Sequence, residues 1–174
     1  TAEPDNFETV WKCCQAMEVD LILQRDVHRR KKLLLADMDS TMIAQECIDE
    51  LADVAGVGEA VKAITLRAMN GEFDFSEALL ERVSLLKGQP ERIIDEVLRE
   101  RITYVEGGDI LLATMKAYGG YSALVSGGFT AFSEKVAAHL GFDEHRANRL
   151  LIENGVLTGG VADPILGRDA KVSA

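Results

Sequence analysis

Apolar residues recur at helical spacing through the middle of the chain, between residues 46 and 106. Residues three or four positions apart share one face of a helix, so this spacing predicts four amphipathic helices. Their apolar faces are formed by Cys47, Ile48, Leu51, Ala52 and Ala55; by Val61, Ile64, Leu66 and Met69; by Leu79, Leu80, Val83 and Leu86; and by Ile93, Ile94, Val97 and Leu98. Pro90 stands just before the fourth helix, where proline favours a helix start. The pattern predicts a small helical bundle.

Short, largely apolar runs on either side of this bundle predict strands of a parallel sheet. Residues 33–36 and 121–125 have the length and composition of strands buried on both faces of such a sheet. Helical spacing over residues 109–118, closed by Gly119 and Gly120, predicts a helix between the two strands. The strand–helix–strand alternation indicates an α/β fold into which the bundle is inserted.

The two ends of the chain contribute further elements. Residues 4–18 predict an amphipathic helix, and the apolar run at residues 19–23 is compatible with a strand. A helix is also predicted after the second sheet strand, through Phe132, Val136 and Leu140. Asn154-Gly155 separates two apolar runs, which predicts a β-hairpin.

Composition and charge narrow the classes of function. The 174 residues are 47% hydrophobic, enough for one buried core. The formal net charge of −10 argues against a nucleic-acid partner. Residues 33–106 hold 16 acidic and 7 basic side chains, so the acidity lies in the bundle. No apolar run approaches the roughly 18 to 20 residues that span a bilayer, and we predict no membrane partner.

The cysteines and the first residues of the chain indicate the cellular location of the protein. The three cysteines include an adjacent pair, Cys13 and Cys14, and none has the spacing of a Cys/His metal site. We interpret Cys47 as a small buried apolar residue. The chain starts Thr-Ala-Glu-Pro, without Met or a secretory leader, which we interpret as an internal point of a longer chain. These features predict a reducing, cytoplasmic location.

Polar residues follow both predicted sheet strands at their carboxyl ends, where ligands of open parallel sheets collect. Asp37 and Asp39 stand two residues apart, and the period of a strand aims both side chains the same way. Crowded carboxylates suit Mg²⁺, and a carboxylate beside that ion can attack phosphorus. Ser126-Gly127-Gly128 offers a hydroxyl and backbone N–H groups to an anion. Both patterns also occur in ordinary turns and loops.

Residues 33–43, LLLADMDSTMI, resemble the first motif of haloacid-dehalogenase-type phosphatases, in the branch that acts on O-phosphoserine. Further motif residues follow in order: Glu46, Phe75 and Arg82 within FDFSEALLERVSLL, SGGF at 126–129, ANRL at 147–150, and Lys171. The resemblance covers residues 25–174. It implies a Rossmannoid parallel-sheet core at 25–45 and 107–174, a helical cap at 46–106, and, at 1–24, the tail of an upstream domain of the kind that is regulatory in longer relatives.

The resemblance implies a Mg²⁺-dependent phosphatase that converts O-phosphoserine to L-serine and phosphate, the last step of serine biosynthesis. Asp37 would attack phosphorus and form an aspartyl-phosphate, while Asp39 would protonate the departing serine oxygen and then activate water. The metal would be held by the side chain of Asp37 and the backbone carbonyl of Asp39. Ser126, Gly127 and Lys171 would bind the phosphoryl oxygens.

The same resemblance assigns the recognition of serine to the helical insertion. Glu46 would bind the ammonium and Arg82 the carboxylate, while Met69 and Phe75 would shape the pocket wall. Without the resemblance, Glu46 is explained as an acidic residue in a first helical turn and Arg82 as a surface ion-pair partner. Met69 and Phe75 are then plain core residues.

The resemblance departs from the family pattern after Lys171. The fourth motif, a Gly-Asp-rich loop that supplies another metal ligand, does not follow, because only three residues remain. We therefore expect that the C-terminal part of the core is missing and that this chain alone turns over weakly or not at all. Two alternatives stay open: a phosphotransferase that uses the same aspartyl-phosphate, and a non-catalytic interaction fragment.

Overall fold

A computed structural model describes residues 4–25, 27 and 29–167. The chain divides into two units, residues 1–31 and residues 32–174. The first unit contains helix α1 (Phe7–Ala16), which confirms the predicted N-terminal helix and buries none of its residues. Residues 19–25 form no strand, so the predicted strand at 19–23 is wrong. A strand needs a partner for its backbone groups, and Ile22 in this run is 84% exposed.

The second unit is built on a parallel sheet. Strands β1 (Leu33–Ala36), β2 (Tyr121–Phe129) and β3 (Glu144–Asn148) lie in the order β1-β2-β3. Leu33 pairs with Tyr121 and Ala36 with Leu124, so β1 ends opposite Leu124 and β2 continues beyond it to Phe129. Helices α6 (Gly108–Ala117) and α7 (Thr130–Leu140) pack against β2. The arrangement confirms the predicted strand–helix–strand unit and the α/β fold class.

Strand β1 departs from the prediction of burial on both faces. Leu33 is 58% and Leu35 42% exposed, and these two residues share a face because side chains alternate along a strand. Ala36 is buried and Leu34 is partly buried on the other face. β1 is an edge strand of the sheet within the described residues, and those residues leave the face with Leu33 and Leu35 uncovered.

Four helices separate β1 from α6, as predicted: α2 (Cys47–Val54), α3 (Gly58–Met69), α4 (Phe75–Ser84) and α5 (Arg92–Glu100). α2 packs against α3 and α5, and α3 packs against α4. Leu51, Val61 and Val83 from these helices join the central core, as does Cys47, which is 1% exposed. Leu66 and Met69 were also predicted on an apolar face, but they are 62% and 79% exposed.

The two segments that connect the helices to the sheet run side by side. The Ala44 N–H donates to the Thr103 carbonyl at 2.9 Å, and the Val105 N–H donates to the Met42 carbonyl at 3.0 Å. The Gln45 amide also bonds to Thr103 through both of its ends. The helical insertion therefore leaves and re-enters the sheet region through one hydrogen-bonded pair of segments.

Strands β4 (Leu150–Glu153) and β5 (Val156–Val161) form the predicted antiparallel hairpin. Asn154 and Gly155 both have positive φ, 51° and 74°, as a two-residue turn of this kind requires. β5 packs against α4, and the Gly88 N–H donates to the Leu157 carbonyl at 2.9 Å. No helix in the described part of the chain has the length and apolar character needed to cross a membrane.

Candidate active site

A cavity of about 200 Å³ opens at the carboxyl ends of β1 and β2. Its walls come from the sheet, from the loop after β1 and from α2 and α4: Asp37, Asp39, Glu46, Ile48, Phe75, Leu79, Arg82, Ser126, Gly127, Gly128 and Phe129. Seven residues that the sequence singles out as site residues meet here: Asp37, Asp39, Glu46, Phe75, Arg82, Ser126 and Gly127. Ile48 and Leu79 were missed as site residues, because their helical spacing indicates only core packing.

The carboxylate of Asp39 is held from both sides of the cavity. Its Oδ1 accepts a hydrogen bond from the backbone N–H of Cys47, the first residue of α2, at 2.8 Å. Its Oδ2 accepts one from the Ser126 hydroxyl at 3.0 Å. The amino end of a helix favours a negative charge, so the start of α2 also stabilises this carboxylate. Asp39 is therefore fixed between the helical insertion and β2.

Asp37 lies at the end of β1 on the same cavity wall. Its Oδ1 accepts a hydrogen bond from the backbone N–H of Met38 at 2.8 Å. Met38 itself is fully buried, so the two aspartates flank a residue that points into the core. The predicted alternation is confirmed to this extent: Asp37 and Asp39 face one cavity and Met38 faces away.

Gly128 allows β2 to approach Asp39 closely. A Cβ atom at this position would lie 2.5 Å from Asp39 Oδ2 and 3.1 Å from Ser126 Oγ. The Gly128 N–H donates to Ser126 Oγ at 2.8 Å. A side chain at position 128 would therefore displace the Asp39 carboxylate, which occupies the space that the side chain needs. The SGGF motif contains this residue, but no separate feature of the sequence indicates its contact with Asp39.

Glu46 lies at the amino end of α2 with its side chain on the cavity. It makes no side-chain cap with the helix, and its Oε1 instead accepts a hydrogen bond from the Ser40 hydroxyl at 2.6 Å. Partial burial raises the pKa of the Glu46 carboxyl; the Ser40 bond opposes the rise, and the charges of Asp39, Asp49 and Asp37 add to it. An added cation in the cavity would relieve this electrostatic cost.

Arg82 brings a positive charge to the same cavity from α4. Its Nε–H donates to the Ala78 carbonyl at 3.1 Å, and the guanidinium is in no ion pair among the residues that the structure describes. Partial burial lowers the pKa of Arg82, while the carboxylates of Asp49 and Glu46 oppose the shift. Arginine still stays protonated, since its ordinary pKa is far above neutrality. The cavity therefore contains a fixed cation.

Phe75 and Met69 occupy different places. Phe75 lines the main cavity and also a neighbouring cavity of about 330 Å³. Met69 lines only the neighbouring cavity, which it shares with Phe75 and Arg82. The structure therefore does not bring Met69 together with Asp37. Lys171, the remaining predicted site residue, lies outside the described residues.

The donor atoms at Asp37 and Asp39 fit a hard cation. Carboxylate and carbonyl oxygens are the ligands that Mg²⁺ prefers, and this ion commonly keeps several waters while binding one or two carboxylates. Across residues 4–25, 27 and 29–167, no three His, Cys, Asp or Glu side chains form a metal cluster. The described chain thus offers a partial, oxygen-only site rather than a closed protein cage.

The structure is that of an α/β protein with helices packed on a parallel sheet. Proteins of this class bind their ligands at the carboxyl ends of the strands, where Asp37 and Asp39 line the cavity. The chain belongs to the haloacid dehalogenase-like hydrolases, since the model of that family matches residues 34–174.

Curated relatives include phosphoserine phosphatases from two archaea. The chain is 42% identical over 159 residues to that of Archaeoglobus fulgidus, covering 90% of this chain and 46% of the relative. It is 43% identical over 145 residues to that of Methanocaldococcus jannaschii, covering 83% and 68%. The chain therefore spans between about half and two thirds of the length of these relatives.

A solved structure also matches the fold. It is a phosphoserine phosphatase with an analogue of the phospho-aspartyl intermediate, 45% identical, with a TM-score of 0.69. The match covers 75% of this chain and 62% of the solved one. The similarity confirms the expected family resemblance in both sequence and structure.

Proposed function

We propose that the protein hydrolyses O-phosphoserine to L-serine and phosphate. The observation that carries this proposal is that one cavity combines the Asp37–Asp39 pair with a carboxylate, Glu46, and a cation, Arg82. A phosphate monoester of an amino acid has matching groups: a phosphoryl group, an ammonium and a carboxylate. The names of the relatives in sequence and structure support the same substrate.

In the first step, an Asp37 carboxylate oxygen attacks phosphorus and the bond between phosphorus and the serine oxygen breaks. Asp39 gives its proton to that oxygen, so that serine leaves as a neutral alcohol. In the second step, Asp39 takes a proton from water while the water oxygen attacks phosphorus. The bond to Asp37 breaks, phosphate leaves, and both aspartates return to their starting states.

The hydrogen bonds at Asp39 support its double role. A group that first donates and then accepts a proton must keep its place through both steps, and Cys47 and Ser126 hold both Asp39 oxygens. The Gly127 N–H and Lys171 would bind the phosphoryl oxygens, and so would Ser126 once substrate turns its single O–H from Asp39 toward them.

Mg²⁺ would be held by the Asp37 side chain and the Asp39 backbone carbonyl. When bound, it supplies positive charge that neutralises the phosphoryl oxygens. Asp37 then remains aligned with phosphorus through its position at the end of β1.

Recognition of the amino acid would come from the helical insertion. A guanidinium presents a planar pair of donors to a carboxylate, so Arg82 would bind the substrate carboxylate and Glu46 its ammonium. Phe75 would form the wall beside the phosphoryl group and Met69 a more distant part of it. We further propose that residues 46–106 act as a cap on a core at 25–45 and 107–174, with residues 1–24 belonging to an upstream domain. The reaction would complete serine biosynthesis.

The test measures phosphate and serine released by the whole protein from O-phosphoserine, with added Mg²⁺ and with a chelator. The proposal predicts one phosphate for each serine, in a reaction that requires the metal. Release of serine with phosphate appearing on an added alcohol would instead identify a phosphotransferase. Binding of O-phosphoserine without turnover would identify a non-catalytic protein.

A further inference from the structure

Asn148, the last residue of β3, is a buried polar residue whose side chain is fully used. It is 1% exposed, and its Nδ2 donates to the carbonyls of Gly127 at 2.8 Å and Leu166 at 3.2 Å. Its Oδ1 accepts a hydrogen bond from the Leu166 N–H at 2.7 Å. An amide has two N–H donors and one carbonyl, so these partners fix which way it points. One side chain thus joins the end of β2 to the segment at Leu166.

These bonds replace backbone pairing at an irregularity in the sheet. Val125 pairs with Arg146 and Phe129 with Asn148, so β2 advances four residues while β3 advances two. Extra residues in such a bulge leave the regular ladder, and a buried carbonyl there needs another donor. The Asn148 amide is that donor for Gly127.

The Gly127 carbonyl is coupled to the carboxylate of Asp39 through a short chain of bonds. It shares a planar peptide unit with the Gly128 N–H, so fixing one orients the other. The Gly128 N–H donates to Ser126 Oγ at 2.8 Å, and the Ser126 hydroxyl donates to Asp39 Oδ2 at 3.0 Å. The orientation of Asp39 therefore depends on a peptide that Asn148 holds.

The Leu166 side of the bridge lies against the same site. A Cβ atom on Gly127 would be 2.8 Å from Phe75 Cζ, and one on Gly167 would be 3.2 Å from Phe75 Cδ1. The Phe75 ring therefore covers both glycines that neighbour the Asn148 bonds. Asn148 therefore bonds to the two backbone segments whose glycines Phe75 approaches.

We propose that Asn148 is a positioning residue of the active site. It lines no part of the cavity but fixes the peptide between Gly127 and Gly128, and through Ser126 the carboxylate of Asp39. The effect on turnover rests on the proposed phosphatase function, whereas the effect on the backbone does not.

The first test compares variants of the whole protein on O-phosphoserine. Asn148→Ala removes the bridge, and Asn148→Asp keeps the size and one acceptor but loses both donors. Ser133→Ala is the matched control: Ser133 is also fully buried, and its hydroxyl bonds to His145 Nδ1 at 3.0 Å and to the Thr130 carbonyl at 3.4 Å rather than to Gly127 or Leu166. Circular dichroism identifies a temperature at which all three variants are folded, and the kinetics are measured at that temperature.

We expect both Asn148 variants to lower kcat at least about tenfold, equal to about 1.4 kcal/mol of activation free energy, with KM changed less than about threefold. Ser133→Ala should stay within about twofold of the original protein. The proposal is overturned if folded Asn148 variants keep kcat within twofold, or if Ser133→Ala loses as much.

Hydrogen exchange of the ligand-free protein gives a readout that needs no substrate. Asn148→Ala should speed exchange of the Gly128 and Leu166 amides about tenfold or more, and Ser133→Ala should not. Unchanged exchange at both amides would overturn the positioning role. If the unaltered protein releases no phosphate from O-phosphoserine, the proposed function fails, and exchange alone decides the role of Asn148.

Discussion

At the scale of single residues, the cavity combines a hydrogen-bonded aspartate with two charged side chains. Asp39 receives hydrogen bonds from Cys47 and Ser126, while Glu46 and Arg82 approach from the helical insertion. In the proposed function, this division separates the chemistry from the recognition of serine. Each group can therefore be tested by a change that leaves the other in place.

Gly128 provides a test of how closely Asp39 must be held. In Gly128→Ala, the new methyl group would start 2.5 Å from Asp39 Oδ2, so the carboxylate must move. We expect kcat to fall roughly 10- to 100-fold, the range over which a misplaced catalytic group acts, while the protein still folds. Steady-state kinetics with O-phosphoserine measures the effect. Gly108→Ala is the control, because its methyl group would meet neighbours no closer than 3.7 Å; equal losses in both variants would contradict this account.

Arg82 tests recognition of the carboxylate. Arg82→Ala should lower kcat/KM for O-phosphoserine about 30- to 100-fold, since a charge-assisted hydrogen bond contributes roughly 2 to 3 kcal/mol. The loss should be several-fold at most for O-phosphoethanolamine, which has the ammonium but no carboxylate. Arg67→Ala, which removes an exposed partner of Glu72 in the same insertion, should change neither value. Equal losses on the two substrates would refute the assignment.

Glu46 predicts a pH dependence. Its pKa is raised by burial, so the carboxyl takes up a proton at a higher pH than a free glutamate does. As the pH falls toward that raised pKa, the negative charge that binds the ammonium is lost. O-phospholactate has no ammonium and serves as the reference substrate. The ratio of kcat/KM for O-phosphoserine to that for O-phospholactate should therefore decrease as the pH is lowered.

The matched variant for this pH dependence is Glu46→Gln, which has no titrating group at the position. In this variant the ratio should be low and independent of pH over the same range. Titration of the substrate phosphate affects both substrates and cancels in the ratio. A falling ratio that persists in Glu46→Gln would assign the effect to another residue.

The residues of the site differ in how visible they are in the sequence. The apolar pattern predicts the two strands that precede Asp37, Asp39 and Ser126. Because the carboxyl ends of parallel strands meet at one edge of a sheet, the sequence alone predicts that these three side chains lie close together. Asn148 belongs to the ANRL motif, but the motif does not indicate its role, because that role depends on a bulge between β2 and β3 that only the three-dimensional register reveals.

At the scale of elements, the hairpin shows a structure determined by its turn. Asn154 and Gly155 adopt the positive φ values that the two-residue connection needs, and the Glu91 N–H donates to the Gly155 carbonyl at 2.8 Å. Gly155→Ala should lower the free energy of unfolding by about 1 kcal/mol, because side chains other than glycine resist this conformation.

Urea unfolding measures that change, with Gly108→Ala as a control outside the left-handed region. The kcat of the folded Gly155→Ala protein should be unchanged, since Gly155 lines neither cavity that contains site residues. If Gly155→Ala has the same free energy of unfolding as the unaltered protein, the positive φ at Gly155 does not contribute to the stability of the hairpin.

The same scale shows where sequence patterns mislead. Among the residues that the structure describes, the apolar run at 19–23 has no partner strand, so its composition produces no sheet there. β1 has the composition of a strand buried on both faces, but in the same described part it lies at an edge and exposes Leu33 and Leu35. Helix spacing is a local property, whereas burial and pairing of strands depend on distant neighbours. The four helices of the insertion were therefore predicted correctly, and the exposed face of β1 was not.

At the scale of the whole molecule, the cavity lies where two parts of the second unit meet. The sheet contributes Asp37 and Ser126, and the helical insertion contributes Glu46 and Arg82. Paired connecting segments and the contact of β5 with α4 join these parts. The charge of the chain concentrates in the insertion, and the proposed substrate presents an ammonium to that part.

The nucleophilic role of Asp37 is the central claim, and trapping the intermediate tests it most directly. The whole protein, turning over O-phosphoserine, is quenched in acid, reduced with borohydride and analysed by peptide mass spectrometry. An acyl phosphate at Asp37 is reduced to homoserine, so we predict that change at position 37, and its absence from Asp37→Asn, which should also release no phosphate. Reduction at another residue, or phosphate release by folded Asp37→Asn, would contradict the account.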